Sequence, residues 1–129
     1  MVRSTARCLC GGLTVVATGA PLRVGICHCL DCQRHHGAPF YAAAVFDAGD
    51  VEVSGDVRDY QGRAFCPHCG SSVFARTGTE IEVHLGALDD PDRFKPTYEL
   101  WCIRRVPWLA PFPATTCFES GRDTDVDKG

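Results

Sequence analysis

The sequence has little that would place it in a membrane or on a nucleic acid. No stretch approaches the roughly 18 consecutive apolar residues of a membrane-spanning helix, and residues 1–7 lack the apolar run of a secretory signal. No block of one charge occurs either, because the basic residues are scattered apart from Arg104 and Arg105 and the net charge is −3. We therefore expect a cytoplasmic protein with no membrane segment and no general nucleic-acid surface.

Internal repeats and low-complexity segments are also absent from the sequence, which excludes repeat architectures. The chain has 129 residues, of which 45% are hydrophobic, and this is enough for one domain with a buried core. Residues 119–129 are mostly polar and charged. We therefore predict a zinc-binding domain over residues 1–118, followed by a flexible C-terminal tail over 119–129.

Cysteine is the residue that the chain has in excess. Seven of the nine cysteines fall into three tight clusters, which are Cys8-Leu-Cys10, Cys27-His-Cys29-Leu-Asp-Cys32 and Cys66-Pro-His-Cys69. A tetrahedral zinc site takes four thiolate or imidazole ligands at about 2.0–2.3 Å. Two pairs of cysteines complete one closed four-sulfur site. The remaining three leave a second site one ligand short, which is the arrangement of catalytic zinc.

Disulfide bonds are the alternative use of so many cysteines. An odd number leaves at least one thiol unpaired, and a bridge between Cys8 and Cys10 would be strained because bridged Cα atoms usually sit about 4.4–6.8 Å apart in a restricted geometry. Two ligands of one metal tolerate that spacing. The sequence therefore favours zinc in a reducing compartment. The metal would be part of the fold, because structural zinc contributes roughly 10–16 kcal/mol in small zinc domains.

Hydrophobic patterning predicts a mainly β domain with zinc knuckles at strand ends. β-Branched runs, alternation and turn residues mark the strands. We predict them over residues 13–17, 23–27, 40–46, 51–53, 57–61, 72–76, 79–85 and 98–103, the fifth returning antiparallel after the fourth. A short helical turn is predicted over 29–36 and ends at Gly37, while Gly70 closes the last cysteine knuckle.

The cysteine clusters, together with their flanks, resemble one protein family. The matching segments are Cys8-x-Cys10-Gly-Gly, Cys27-His-Cys-x-x-Cys32-Gln-Arg, Gly37-Ala-Pro-Phe40, Phe65-Cys-Pro-x-Cys-Gly-Ser71, Leu88-Asp-Asp-Pro91 and the stretch from Trp101 to Pro107-Trp108. In this order they resemble the family of glutathione-dependent formaldehyde-activating enzymes, which includes the centromere protein V type. The resemblance spans nearly the whole chain apart from its tail.

That resemblance implies a mainly β fold of the Mss4-like, or β-tent, type. It implies two zinc ions. The structural ion would be held by Cys8, Cys10, Cys66 and Cys69, and the catalytic ion by Cys27, Cys29 and Cys32. It also implies a carbon–sulfur lyase that joins glutathione, or a similar small thiol, to an aldehyde such as formaldehyde. The partners are then small molecules, and the sequence leaves the oligomeric state open.

A zinc ion on three thiolates leaves a position for chemistry. An incoming thiol that takes this position would lose its proton near neutral pH, where a free thiol of pKa about 8.5 stays mostly protonated. It would then attack a small carbonyl held beside Cys27, Cys29 and Cys32. A fourth sulfur also saturates the site and weakens the nucleophile, so dissociation before attack is the alternative.

Two residues are the candidate substrate contacts. Arg34 follows the three cysteines by two residues and would ease the added negative charge, whereas its ordinary role is that of a solvated turn residue. The ring of Phe40 could line a substrate pocket, although Phe40 is more simply interpreted as a core or sheet-face residue. Four other arginines could meet the carboxylates of glutathione or be plain surface residues, namely Arg63, Arg76, Arg104 and Arg105.

Most other conspicuous residues receive structural interpretations. His28 and His68 occupy non-ligand positions inside cysteine motifs, so we expect their rings to point away from the metals. His35 or His36 is the alternative fourth ligand, which would close the three-cysteine site. The rest are expected to be exposed His84, the small buried Cys102 and Cys117, and the core or sheet-face aromatics Tyr41, Phe46, Phe74 and Trp101.

Two other functions fit the same residues. A non-catalytic zinc module that binds a protein partner would need no open coordination position. A zinc or redox sensor would release zinc on oxidation and join two cysteines of the Cys27–Cys32 cluster in a disulfide. The presence of all three sulfurs in that cluster favours the enzyme over the interaction module.

Overall fold

The structure is a computed structural model that describes residues 2–122. Within this part of the chain it contains eleven strands, one α-helix and three 3-10 turns, so the prediction of a mainly β domain is confirmed. The strands are β1 (Arg3–Arg7), β2 (Thr14–Thr18), β3 (Arg23–Cys27), β4 (Tyr41–Asp47), β5 (Val51–Ser54), β6 (Arg58–Tyr60), β7 (Arg63–Phe65), β8 (Ser72–Thr77), β9 (Glu80–His84), β10 (Tyr98–Leu100) and β11 (Thr116–Cys117). Helix α1 spans Leu30–His36, and the turns cover Ala48–Asp50, Leu85–Ala87 and Cys102–Arg104.

The chain forms two compact units, the first built from residues 2–23 and 43–94. One antiparallel sheet of this unit has the order β1-β2-β5, and a second antiparallel set has the order β4-β9-β8-β7-β6. Apolar side chains that alternate along these strands form its core. The largest of the fully buried apolar side chains are Leu13, Val15, Phe46, Val73, Phe74, Ile81 and Val83.

Strand β1 was missed in the sequence because its residues are mostly polar. Its burial nevertheless alternates, with Ser4 and Ala6 buried between exposed neighbours. Pairing with β2 supplies the reason, since Ala6 lies opposite Val15 in the antiparallel register. The strand is therefore fixed by its partner rather than by its own β-propensity.

The second unit contains residues 24–42 and, within the described part, 95–122. Its three strands are all parallel, in the order β11-β10-β3, so β10 has a neighbour on each side. Helix α1 follows β3 directly. The side chain of Cys29 caps its first turn by accepting from the Cys32 amide, and Gly37 ends it in a left-handed conformation, as predicted.

Three local predictions are wrong. Residues 57–61 do not pair with 51–53, because β5 pairs with β2 and β6 pairs with β7. The strand predicted over 98–103 ends at Leu100, since Trp101 adopts a left-handed conformation and a 3-10 turn follows. Trp101 is also exposed rather than in the core.

The predicted tail is only partly described. The carbonyls of Glu119 and Ser120 accept hydrogen bonds from the amides of Ile103 and Trp101. Residues 123–129 lie outside the described part of the chain. The domain boundary at residue 118 therefore stays a prediction. Among residues 2–122, no helix is long and apolar enough to cross a membrane.

Candidate metal centres

The first candidate centre is formed by Cys8, Cys10, Cys66 and Cys69, the four-cysteine cluster. Cys8 and Cys10 stand in the turn after β1, and Cys66 and Cys69 stand in the turn after β7. The four sulfur atoms all lie within 4.8 Å of one another. Tertiary folding therefore brings together the two cysteine pairs that the resemblance grouped.

The sulfur spacings in this cluster match a tetrahedral zinc site. Sγ of Cys10 lies 3.5 Å from Sγ of Cys8 and 3.7 Å from Sγ of Cys66. Four ligands at about 2.3 Å from a central zinc would be separated by roughly 3.8 Å along each tetrahedral edge. All nine cysteines are free thiols, so the structure gives no support to the disulfide alternative.

Hydrogen-bond donors surround the four-cysteine cluster, but they do not favour charge on every sulfur. The Gly12 amide opposes the shift, yet the proximity of Cys8, Cys66 and Cys69 raises the pKa of Cys10 to about 11. The amide of Leu13 donates to Sγ of Cys8 at 3.2 Å, and the amide of His68 donates to Sγ of Cys66 at 3.4 Å. Hydrogen bonds from the Ser71 hydroxyl and amide, with one from the Cys10 amide, lower the pKa of Cys69 to about 5. Thiolates held in this way are the form that binds zinc.

The geometry of the last knuckle depends on Gly70. Its φ of 80° is left-handed, and its amide donates to the Cys66 carbonyl at 2.8 Å. A side chain would strain this conformation, which explains the glycine. The ring of His68 points to Asp56, with Nε2 2.9 Å from Oδ2, so His68 is not a ligand, as expected.

The second candidate centre is formed by Cys27, Cys29 and Cys32, the three-cysteine cluster. Cys27 ends β3, Cys29 caps α1 and Cys32 lies in the first turn of that helix. Their sulfur atoms all lie within 4.8 Å of one another, and among residues 2–122 no His, Asp or Glu joins the group. Residues 2–122 thus bring three sulfurs, and no fourth ligand, to this place.

Crowding of the three sulfurs penalises their ionisation without a cation. The pKa of Cys32 is raised, first because its thiol is hydrogen-bonded to Cys27 and this bond favours the protonated form. Burial of the side chain and repulsion by negative charge on Cys27 raise it further. Burial likewise raises the pKa of Cys29, although hydrogen bonds from Cys32 oppose the shift. A divalent cation among the sulfurs would reverse this penalty, so the donor set fits zinc.

The alternative fourth ligands are engaged elsewhere. The ring of His36 stacks on Tyr41 with centroids 4.7 Å apart and an interplanar angle of 7°. His35 meets the edge of His36 at 4.8 Å. Neither belongs to the three-cysteine cluster, so the structure does not support the interpretation in which a histidine closes this site.

Glu99 is a functional candidate that the sequence analysis missed. It lies at the centre of β10, fully buried, and its Oε1 is 2.8 Å from Nε2 of His28 and 3.1 Å from Nη2 of Arg105. The Thr115 hydroxyl and the Phe112 amide donate to Oε2. The one signal in the sequence at this position is an acidic residue between two apolar neighbours, Tyr98 and Leu100.

The carboxylate of Glu99 is ionised despite its burial. Desolvation opposes the charge, but hydrogen bonds from Thr115, His28 and Arg105 outweigh it and lower the pKa of Glu99 to about 2. His28 lies between two cysteines of the three-cysteine cluster, and its ring points to Glu99 as the expected non-ligand orientation requires. Arg105 is therefore not a plain surface arginine.

The two predicted substrate contacts differ in their surroundings. Phe40 is half-buried, packs its ring 5.9 Å from His28 and 5.3 Å from Phe112, and lines a cavity of about 340 Å³. This cavity is almost wholly apolar, and Lys95 is the charged residue in its wall. Arg34 is exposed in the last turn of α1. The substrate roles of both residues stay predictions.

The other conspicuous residues correct two expectations. His84 was expected to be exposed, yet it is buried and its Nδ1 lies 3.1 Å from the Ser72 hydroxyl. Cys102 and Cys117 were expected to be buried, yet Cys102 is half-buried and Cys117 is exposed. Phe46 and Phe74 are core residues, as predicted.

A family comparison agrees with this arrangement of sulfurs. The sequence profile of the family described as glutathione-dependent formaldehyde-activating enzyme matches residues 3–104, a span that contains both cysteine clusters. The chain belongs to this family. Its mainly β structure, with clustered cysteines that could hold metal ions, is consistent with the Mss4-like fold that the resemblance implies.

Comparison with solved structures adds support at the level of the fold. The crystal structure of a Rhodobacter sphaeroides protein, a structural-genomics target, superposes with a TM-score of 0.55 at 22% identity. The match covers 71% of this chain and 91% of that one. Among curated proteins, none matches this chain.

Proposed function

We propose that this member of the family is a zinc-dependent carbon–sulfur lyase that joins a small thiol, such as glutathione, to an aldehyde, such as formaldehyde. Two zinc ions per chain are proposed. One would be structural, on the four-cysteine cluster, and one catalytic, on the three-cysteine cluster. The observation that carries the proposal is the inequality of these clusters, four converging sulfurs in one and three in the other.

The three-cysteine cluster is the proposed reaction site. Cys27, Cys29 and Cys32 would hold the ion and leave one coordination position for the substrate sulfur. Bound zinc would supply the positive charge that keeps a substrate thiol ionised near neutral pH. Hydrogen bonding fixes the parts of the chain around this cluster, because Glu99 holds the ring of His28 and Leu100 accepts the His28 amide at 3.0 Å.

The surroundings of the cluster support a small, weakly polar carbonyl substrate. Phe40 contacts the ring of His28, which follows Cys27 directly, and it lines the apolar cavity of about 340 Å³. An apolar wall excludes water from an electrophile held beside it. The exposed Arg34 on α1 is proposed to meet a carboxylate of the anionic thiol, and Lys95 offers a second positive charge at the cavity.

The cysteine chemistry also supports a cellular setting and a partner class. Nine unbridged cysteines are typical of a reducing compartment, so we propose a cytoplasmic location. The net charge of −3 argues against a nucleic-acid partner. Small thiols and aldehydes are therefore the proposed partners.

The test of this function uses the zinc-loaded full chain with glutathione and formaldehyde. Adduct formation and its exchange are followed by NMR against the uncatalysed rate, with Cys29→Ser as the site variant and Cys117→Ser, a cysteine outside both clusters, as the matched control. The proposal predicts catalysis by the native chain and by Cys117→Ser, and its loss in Cys29→Ser. An uncatalysed rate in the native chain at two bound zinc ions would reject it.

A further inference from the structure

Cys102 and Cys117, which the sequence marks as isolated thiols, come together beside Glu99. Both sulfur atoms and a carboxylate oxygen of Glu99 lie within 4.8 Å of one another. The backbone causes this meeting. Cys117 lies opposite Glu99 in the parallel β10–β11 register. The left-handed Trp101 then turns the chain so that the Cys102 amide donates to the Phe118 carbonyl at 3.0 Å.

A guanidinium already occupies the position that a cation would take in this cluster. Nη2 of Arg105 lies 2.8 Å from Sγ of Cys117, 3.3 Å from Sγ of Cys102 and 3.1 Å from Oε1 of Glu99. The Thr115 hydroxyl also donates to the other Glu99 oxygen. The Cys117 thiol donates to the same Glu99 oxygen at 3.5 Å, so the cluster is saturated with donors. These contacts favour sulfur redox chemistry over a third metal.

The two sulfurs are not equivalent. Cys117 is exposed and receives the shorter hydrogen bond from Arg105. Cys102 is half-buried, and its thiol donates to the Glu99 carbonyl at 3.6 Å. Burial, followed by the proximity of Cys117, raises the pKa of Cys102 to about 12, so this thiol keeps its proton. The sulfur of Cys117 is therefore accessible to an oxidant. The Cys102 thiol is protonated and lies within 4.8 Å of it.

We propose that Cys117 and Cys102 form a redox-active dithiol that hydroperoxides oxidise to a reversible disulfide. Sγ of Cys117 attacks the terminal peroxide oxygen, an S–O bond forms and the O–O bond breaks. The leaving oxygen takes the proton of the Cys117 thiol and departs as an alcohol, or as water when the oxidant is hydrogen peroxide. Sγ of Cys102 then attacks the Cys117 sulfenic acid, an S–S bond forms and water leaves with the Cys102 proton. The two sulfurs supply both electrons, and a small dithiol restores the pair by exchange.

Closure of this disulfide needs only a small movement. The sulfurs start within 4.8 Å, whereas a disulfide bond is about 2.05 Å long. The four- and three-cysteine clusters take no part, and the inference is independent of the proposed lyase activity.

Trypsin makes the product easy to identify. Cleavage after Arg93, Arg104, Arg105 and Arg122 gives peptide 94–104, in which Cys102 is the one cysteine, and peptide 106–122, in which Cys117 is the one cysteine. The reduced, zinc-loaded full chain is treated with one equivalent of hydrogen peroxide, blocked with an alkylating agent and digested. We expect these two peptides to be linked in the mass spectrum, with no zinc released to a chromophoric chelator and full reversal by a dithiol.

Three variants assign the roles of the individual residues. In Cys102→Ser, a sulfenic-acid trap should label peptide 106–122, because the second attack is impossible. In Cys117→Ser, peptide 94–104 should stay unlabelled. Arg105→Gln should form the disulfide roughly tenfold more slowly, because Nη2 of Arg105 contacts both sulfurs and its loss removes the group that holds them together. Arg104→Gln, one residue away and exposed, is the matched control and should react at the native rate.

Three results would overturn the inference. The first is peroxide consumption by the zinc-bound cysteines before any link between peptides 94–104 and 106–122. The second is equal labelling of Cys102 and Cys117 in the two serine variants. The third is loss of one zinc equivalent in the Cys102→Ser/Cys117→Ser double variant, which would make the cluster a metal site. If Arg105→Gln fails to fold, the two serine variants still decide between these outcomes.

Discussion

Nε2 of His28 lies 2.8 Å from Oε1 of Glu99, and both side chains are completely buried. The two residues are 71 positions apart, and parallel pairing of β3 with β10 brings their segments together. Arg105 adds an ion pair to the same carboxylate oxygen. A buried charge of this kind is tolerated because both carboxylate oxygens of Glu99 accept hydrogen bonds. The contact ties the segment that carries the three-cysteine cluster to the central strand of its unit.

Replacement of Glu99 by glutamine should destabilise the protein by about 3 kcal/mol, because it leaves Arg105 half-buried beside an uncharged amide. Urea unfolding of the zinc-loaded protein at pH 7 measures this loss. Glu52→Gln, on an exposed position of β5, is the control and should stay within about 0.5 kcal/mol of the native chain. Equal stabilities for the two variants would show that the buried contacts of Glu99 contribute nothing.

The stability that Glu99 contributes should decrease as the pH falls. Its folded pKa of about 2 lies below its ordinary value of 4.5, so the contribution is fully present above about pH 5 and is lost as the pH falls towards 2. The free-energy difference between native and Glu99→Gln proteins should therefore shrink on acidification. The two proteins are compared only at pH values at which zinc analysis shows that both still hold their metal, because the domain depends on zinc to fold. A difference that stays constant down to the lowest of these pH values would contradict this.

The two cysteine clusters should respond differently to single substitutions. Cys66 is fully buried in the four-cysteine cluster, so Cys66→Ser should lose its zinc and fail to fold stably, because structural zinc contributes roughly 10–16 kcal/mol in small domains. Cys29→Ser should stay folded and lose one zinc ion. Zinc analysis combined with circular dichroism measures both outcomes. A stably folded Cys66→Ser protein with one bound ion would mean that this cluster is not structural.

Gly25 should not tolerate a side chain, because a Cβ atom there would overlap the ring of Tyr98 on the neighbouring strand. Overpacking of this kind typically costs about 1–3 kcal/mol, and we expect that loss for Gly25→Ala. Gly49→Ala, where nothing lies within 4 Å of the added atom, is the control. The double variant with Tyr98→Ala should lose less than the sum of the two single changes. An unfolding free energy of Gly25→Ala equal to that of Gly49→Ala would contradict the packing.

The parts of the molecule that local chemistry controls were predictable from the sequence. Strand β3 has its predicted bounds, and α1 ends at Gly37 because only glycine readily takes the left-handed cap. The cysteine spacing predicted one site of four sulfurs and one of three, because closely spaced cysteines supply several ligands from one turn, and the resemblance assigned the residues to each site. Strand β1 was missed because polar residues become a strand only when a partner pairs with them.

Local sequence therefore predicted the cysteine clusters that could hold metal ions, the helix cap, most strands and, through the flanking motifs, the family. Tertiary structure alone decided which distant groups meet. It buried His84 against Ser72, placed Glu99 between His28 and Arg105, and brought Cys117 to Cys102. The physical reason is the range of the interactions. Turns, caps and chelating spacings act over a few residues, whereas the partners of a buried charge or thiol are fixed by strand order and register, which no short segment encodes.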